Sequence, residues 1–106
     1  MRGAEVCSVI LDGEEIKLYN DQYADGTHAL VAFGVYGESY GLLSVKLSDQ
    51  PPVGACWIKA WGENAGLAQV VWATGAFEKV GETSISTPGG SVKVEAWQTI
   101  SHSTRD

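Results

Sequence analysis

Basic residues are scarce in this 106-residue chain: 7 lysines and arginines stand against 13 aspartates and glutamates, for a formal net charge of −6. That sign disfavours nonspecific attraction to nucleic acid or to an anionic membrane. Histidine is as thin. His28 precedes an apolar run and His102 lies near the C-terminus, with no His-Glu-x-x-His and no Cys-x-x-Cys, so the spacing offers no zinc site. The two cysteines, Cys7 and Cys56, are too few for a disulfide framework and are not spaced as a ligand pair. Each falls in an apolar stretch and reads as a small buried hydrophobe in a reducing compartment, with a single bridge between neighbouring strands left open. No run approaches the ~20 apolar residues of a membrane span. The apolar stretch Val6 to Leu11 falls short of the roughly 7–15 residues of a secretory core. These absences point to a cytoplasmic protein without membrane association.

Catalytic patterns are missing as well. Gly34, Gly37 and Gly41 are spaced neither as a Walker A loop nor as a dinucleotide fingerprint, and they surround a hairpin rather than join a strand to a helix. The loop from Asp21 to Gly26 superficially resembles a calcium loop. However, Tyr23 takes the third ligand position, and Ala32 the twelfth, where a bidentate glutamate is required. Glu14 and Glu15 adjoin a turn and should be solvated. Nothing pairs a nucleophile with a base and an orienting group. The expectation is a protein that is not an enzyme and needs no cofactor.

What is present is β-patterning with one helical interruption. Val6 to Leu11 and Glu14 to Tyr19 flank Asp12-Gly13, a strong hairpin signal. Asn20 to Thr27 reads as a polar loop with Asp25-Gly26 at its corner. Ala29 to Tyr36 is apolar on both faces, as in a central strand. Ser39 to Leu47 returns after Gly37-Glu38, with Leu43, Val45 and Leu47 on one face and Tyr40, Leu42, Ser44 and Lys46 on the other. Pro51 and Pro52 make Ser48 to Gly54 a loop. Ala55 to Trp61 is a fifth strand. Asn64 is a candidate N-cap for a helix from Ala65 to about Thr74, whose core stripe is Leu67, Val70, Val71 and Thr74, with Gly75 as its stop. Glu82 to Thr87 and Ser91 to Ile100 form a last hairpin across Pro88-Gly89-Gly90, and residues 101–106 read as a frayed tail. The expected fold is a single α+β domain: an antiparallel sheet of five to seven strands with one short helix packed on one face.

Aromatic residues are the enriched feature, with four tryptophans and four tyrosines. Trp57, Lys59 and Trp61 alternate with Cys56, Ile58 and Ala60. If the helix covers the smooth Cys/Ile/Ala face, the indoles point outward; if not, both are core. Trp97 shares a strand face with Lys93 and Glu95, and Tyr19 shares one with Lys17 and Glu15. An aromatic ring on a charged face is either half covered by its neighbours or offered to a partner. The expected contact residues are Trp57, Lys59, Trp61 and Glu63 in one patch, and Asp21, Tyr23 and Asp25 in a second.

The stretch Gly41-Leu42-Leu43-Ser44-Val45-Lys46-Leu47 follows the pattern Gly-x-Leu-(Ser/Thr)-Val-x-Leu. A proline- and glycine-containing loop comes next, then Trp57-Ile58-Lys59-Ala60-Trp61, an Asn-containing helix start and a short helix. Over residues 14–98 the chain resembles a family of small uncharacterised proteins carried by bacterial mobile elements and phages. Many relatives carry asparagine at the position of Lys46, so no role is transferred to that lysine. The resemblance implies an accessory gene of a phage or conjugative element. Small acidic proteins in that setting often block host defence, some by covering the basic surface of a CRISPR complex, an analogy that fits the charge and size. The expected partner is therefore a bacterial defence protein or ribonucleoprotein complex with a basic surface, and no direct nucleic-acid contact. Two rivals stand beside it: a sponge for a nucleotide signal, sandwiching a base between aromatics, and a homo-oligomeric structural protein, of which a homodimer is the simplest form.

Overall fold

The computed structural model describes residues 3–100, and the expected C-terminal tail, 101–106, lies outside them. The chain is mostly antiparallel sheet with one short helix, as expected, but its strands form two sheets of four rather than one sheet of five to seven. The first sheet is a meander of β1 (Glu5–Leu11), β2 (Glu14–Gln22), β3 (His28–Gly34) and β4 (Ser39–Leu42). The second holds β5 (Ser44–Val45), β6 (Cys56–Ile58), β7 (Phe77–Thr87) and β8 (Gly90–Thr99) in the order β5-β6-β8-β7. Helix α1 (Ala65–Ala73) follows a single 3₁₀ turn, Gly62–Asn64.

The β1–β2 turn forms as the sequence dictates. Asp12 and Gly13 both adopt positive φ, at 51° and 81°, the backbone that matches the twist of a tight hairpin. Strand β2 then runs past its apolar part to Gln22. Asn20, Asp21 and Gln22 pair with Leu30, Ala29 and His28, and the polar side chain of Asn20 is accepted there because its Oδ1 lies 2.6 Å from His28 Nε2. The expected polar loop is therefore shorter at its start. At the other end of β3, Val35 and Tyr36 fall on the turn instead of extending the strand.

The expected strand from Ser39 to Leu47 is cut at Leu43. This residue serves both sheets: its N–H donates to Leu30 of β3 at 3.0 Å, and its carbonyl accepts from Lys59, just beyond β6, at 2.8 Å. Its side chain is buried in the main core. One leucine thus hinges the two sheets, and one continuous pattern of alternation is spent on two of them.

The main core lies between the sheets and α1. It gathers Val9, Ile16 and Leu18, Leu30 and Ala32, Leu43, Cys56 and Ile58, Leu67, Ala68 and Val71, with Phe77 and Trp97 at one end. Cys56 and Ile58 share this core with the helix residues Leu67 and Val71, but the strand the helix lies closest to is β1, where a Cβ at Gly66 would meet Leu11 at 3.6 Å. A nine-residue helix is marginal alone, so this contact holds it in place. Thr74 falls outside the buried stripe and donates its hydroxyl to the Val71 carbonyl at 2.7 Å. Asn64 does not cap the helix: its side chain makes no cap bond and its backbone is already helical. Its Nδ2 instead donates to the Leu42 carbonyl at 2.8 Å, fastening the helix start to the end of β4.

A second, smaller core fills the opposite face of the second sheet, around Ala55, Trp57, Val94 and Ala96. The loop after β5 folds over it. Its Asp49 carbonyl accepts the Trp57 indole N–H at 2.8 Å. Pro52 sits so near Gly81 that a Cβ there would meet its ring at 3.3 Å.

Strand β7 begins at Phe77, well before Glu82. A bulge explains the missed start: Lys79 pairs with Trp97 but Gly81 with Ala96, leaving Val80 unpaired. The bulge reverses the alternation, so Phe77 points into the main core while Ile85 packs on the second.

Candidate binding surface

Three of the seven expected contact residues, drawn from both patches, come together. Tyr23, Lys59 and Glu63 line one open cleft of about 570 Å³ at the junction of the sheets, together with Tyr40, Leu42, Ser44, Lys46 and Asn64. The cleft exists because Leu43 turns the chain there. Residues flanking it, from β4 and β5, form one wall. The segment after β6 forms the other, and the β2–β3 loop supplies Tyr23.

That loop is compact. The Tyr23 N–H donates to the Thr27 carbonyl at 2.8 Å, and the Gly26 N–H returns to the Tyr23 carbonyl at 2.9 Å. Asp25 braces the corner, its Oδ1 accepting from the Thr27 N–H at 3.0 Å and the Thr27 hydroxyl at 2.7 Å. Its Oδ2 lies 2.6 Å from Lys46 Nζ. The Lys46 ammonium, followed by the Thr27 donors, holds the Asp25 carboxyl well below the usual carboxylate range. The same ammonium stands 5.8 Å above the Tyr23 ring.

Tyr23 reaches inward to Ser44, with 2.8 Å between the hydroxyl oxygens. Ser44 is buried, and its Oγ also accepts from the Leu30 N–H at 3.0 Å. Burial pushes the Tyr23 phenol up despite that bond, so the ring enters the cleft protonated. Lys59 has no ion pair with any described residue. Lys17, Lys46 and Lys93 each have one, and Lys79 has two, to Glu82 and Glu95.

The other expected residues go elsewhere. Trp57 is only 5% exposed and belongs to the second core, which corrects the reading of an outward indole face: the alternation ends with β6 at Ile58, and the loop through Asp49 closes over the indole. Trp61 is partly buried against the same core. Asp21 lies at the end of β2, its carboxylate taking the Gln22 N–H at 2.8 Å. It lines a different cleft of about 810 Å³ with Asn20, Gln22, His28, Pro52 and Val53. Trp97 is buried beside the half-exposed Trp72, 4.9 Å between ring centroids, with its N–H on Glu95 at 3.0 Å. Its charged strand face thus covers the ring rather than presenting it.

Tyr40, Leu42, Ser44 and Lys46 were visible in the sequence as one strand face. All four line the cleft, but Val45, expected on the opposite face, lines it too, because the strand that was to carry them is broken. Their proximity to Tyr23 was not legible, because it depends on the hinge at Leu43.

Burial mutes the thiols and the histidine. Burial pushes the Cys56 thiol up to about 12 and raises that of Cys7; both cysteines are free. Burial lowers the pKa of His28, which favours the neutral ring. Among the described residues no three His, Cys, Asp or Glu side chains come together as a metal site would require, and no helix is long and apolar enough to cross a membrane. Set against protein-family models, curated proteins and solved structures, the chain matches none of them.

Proposed function

We propose that this chain is a binding protein without a catalytic step, which inhibits a bacterial defence system, first among them a CRISPR effector complex, by covering its basic nucleic-acid-binding surface. The observation that carries this reading is the distribution of charge. Four of the described lysines are occupied by intramolecular carboxylates. Asp12, Glu14, Glu15, Asp21, Glu38, Asp49, Glu63 and Glu78 have no ion pair with a described residue. A surface with all but one of its described lysines neutralised, and with eight carboxylates outside any described ion pair, attracts a basic partner and speeds the encounter. It also competes with phosphate for the same guanidinium and ammonium groups. This surface supports a basic partner; the sequence resemblance supports the choice of a defence complex, by analogy.

The test is expression in bacteria with active CRISPR interference. Restored plating of a targeted phage, with the effector copurifying with the protein, supports the reading. Unchanged plating with no effector recovered contradicts it.

A second reading rests on the cleft itself. Tyr23, Tyr40, Lys46 and Lys59 line it, and Lys59 is without an ion pair among the described residues, which suits a small nucleotide: a base against a tyrosine and a phosphate on a lysine. Mass spectrometry of the denatured protein would detect such a ligand; its absence from protein purified out of phage-infected cells opposes the sponge.

A further inference from the structure

One end of the first sheet carries apolar side chains that the described fold leaves open. Ile10 is 64% exposed, Val35 49% and Tyr36 92%. Single exposed apolar residues are ordinary, but these three share one end of the molecule. The β1–β2 and β3–β4 turns of a meander fall on the same side, and the pairing of Ile16 with Gly34 sets them on neighbouring strands. The turn that presents Tyr36 is closed by hydrogen bonds. The Gly37 N–H donates to the Gly34 carbonyl at 3.0 Å, and the Gly34 N–H to the Glu38 carbonyl at 2.9 Å. The Tyr36 N–H donates to the Glu38 carboxylate at 3.1 Å. That carboxylate folds back over Gly34, where any Cβ would collide with it. The aromatic ring is therefore displayed from a fixed backbone, which lowers the ordering cost of binding.

The charge around it has one sign. Asp12 and Glu14 sit at the β1–β2 turn, Glu15 pairs with Ile10 across it and Glu38 closes the β3–β4 turn, and none of the four pairs with a described cation. Lys17, the next lysine along β2, is directed to Glu5 at 3.8 Å. We infer that this end is a docking surface for an arginine- or lysine-rich segment of a protein partner, with Tyr36 as the ring on which a guanidinium stacks and the carboxylates as its counter-charges. This rests on the occlusion reading and names the surface that would do the covering.

The experiment is an NMR titration of the isotope-labelled full chain with a synthetic arginine-rich peptide, at ~0.15 M salt, where charges are screened beyond about 8 Å. Shifts concentrated at residues 10–15 and 34–38 are expected, and Tyr36→Ala, which leaves net charge unchanged, should weaken binding roughly tenfold, as loss of an interface anchor does. The spectrum of the variant reports its fold directly. Shifts centred on the Tyr23–Lys59 cleft, no shifts, or a Tyr36→Ala variant that titrates like the wild type would each overturn the surface. A protein that passes this titration yet leaves phage plating unchanged keeps the surface and loses the occlusion reading.

Discussion

The Tyr23 and Ser44 hydroxyl oxygens lie 2.8 Å apart, and this contact ties the β2–β3 loop to the point where the chain leaves one sheet for the other. Ser44 also takes the Leu30 N–H, so a single buried oxygen serves a side chain and a strand at once. The two residues should differ in cost when changed. Tyr23→Phe removes one hydrogen bond and is expected to cost about 1 kcal/mol. Ser44→Ala strands a buried N–H as well and should cost about 1–3 kcal/mol. Urea unfolding of both variants checks the order; equal midpoints would contradict it.

Asn64 offers a sharper discrimination, because its role in the fold is not the one its position suggests. As an N-cap, it would be replaced by aspartate at little cost. As a donor to the Leu42 carbonyl, it cannot be, since a carboxylate only accepts. Asn64→Asp should therefore destabilise by about 1 kcal/mol or more, as read by thermal or denaturant unfolding. A neutral outcome would restore the capping role.

Asp25 gives the fold an acid-sensitive contribution. Its folded pKa is depressed by Lys46 and Thr27, so the stabilisation is present above the unfolded value of about 3.9 and is lost as pH falls below it toward the folded one. An NMR titration should place the Asp25 carboxyl midpoint well below the unfolded value, and Lys46→Met should raise it. A midpoint unmoved by that substitution would remove the ion pair from the description.

The thiols provide a check on the core. With its pKa pushed up to about 12 by burial, Cys56 should resist a thiol reagent at mildly alkaline pH in the folded protein and react once denaturant is added. Cys7, half-buried with a pKa also raised by burial, should react slowly. Rapid native labelling of Cys56 would mean that the main core opens more readily than its packing allows.

How much of this was written in the sequence varies by element. The Asp12-Gly13 hairpin and the helix with Leu67 and Val71 inward follow from local pattern and were legible. The division into two sheets was not, because Leu43 continues the alternation while its N–H and carbonyl go to different sheets. The start of β7 was hidden by Val80, whose bulge puts Phe77 and Ile85 out of phase. The burial of Trp57 was undecidable locally: its cover is a loop holding Asp49 and Pro52, and loop placement leaves no periodicity to read. Of the candidate surface, Tyr23, Lys59 and Glu63 were named as members of two patches, and only the hinge makes them one.

The most direct measurement is the binding of target DNA by a purified, guide-loaded CRISPR effector as this protein is added. Loss of DNA binding near one-to-one stoichiometry, weakening as salt is raised, is the predicted result. DNA binding that persists unchanged under a large excess of the protein would contradict it.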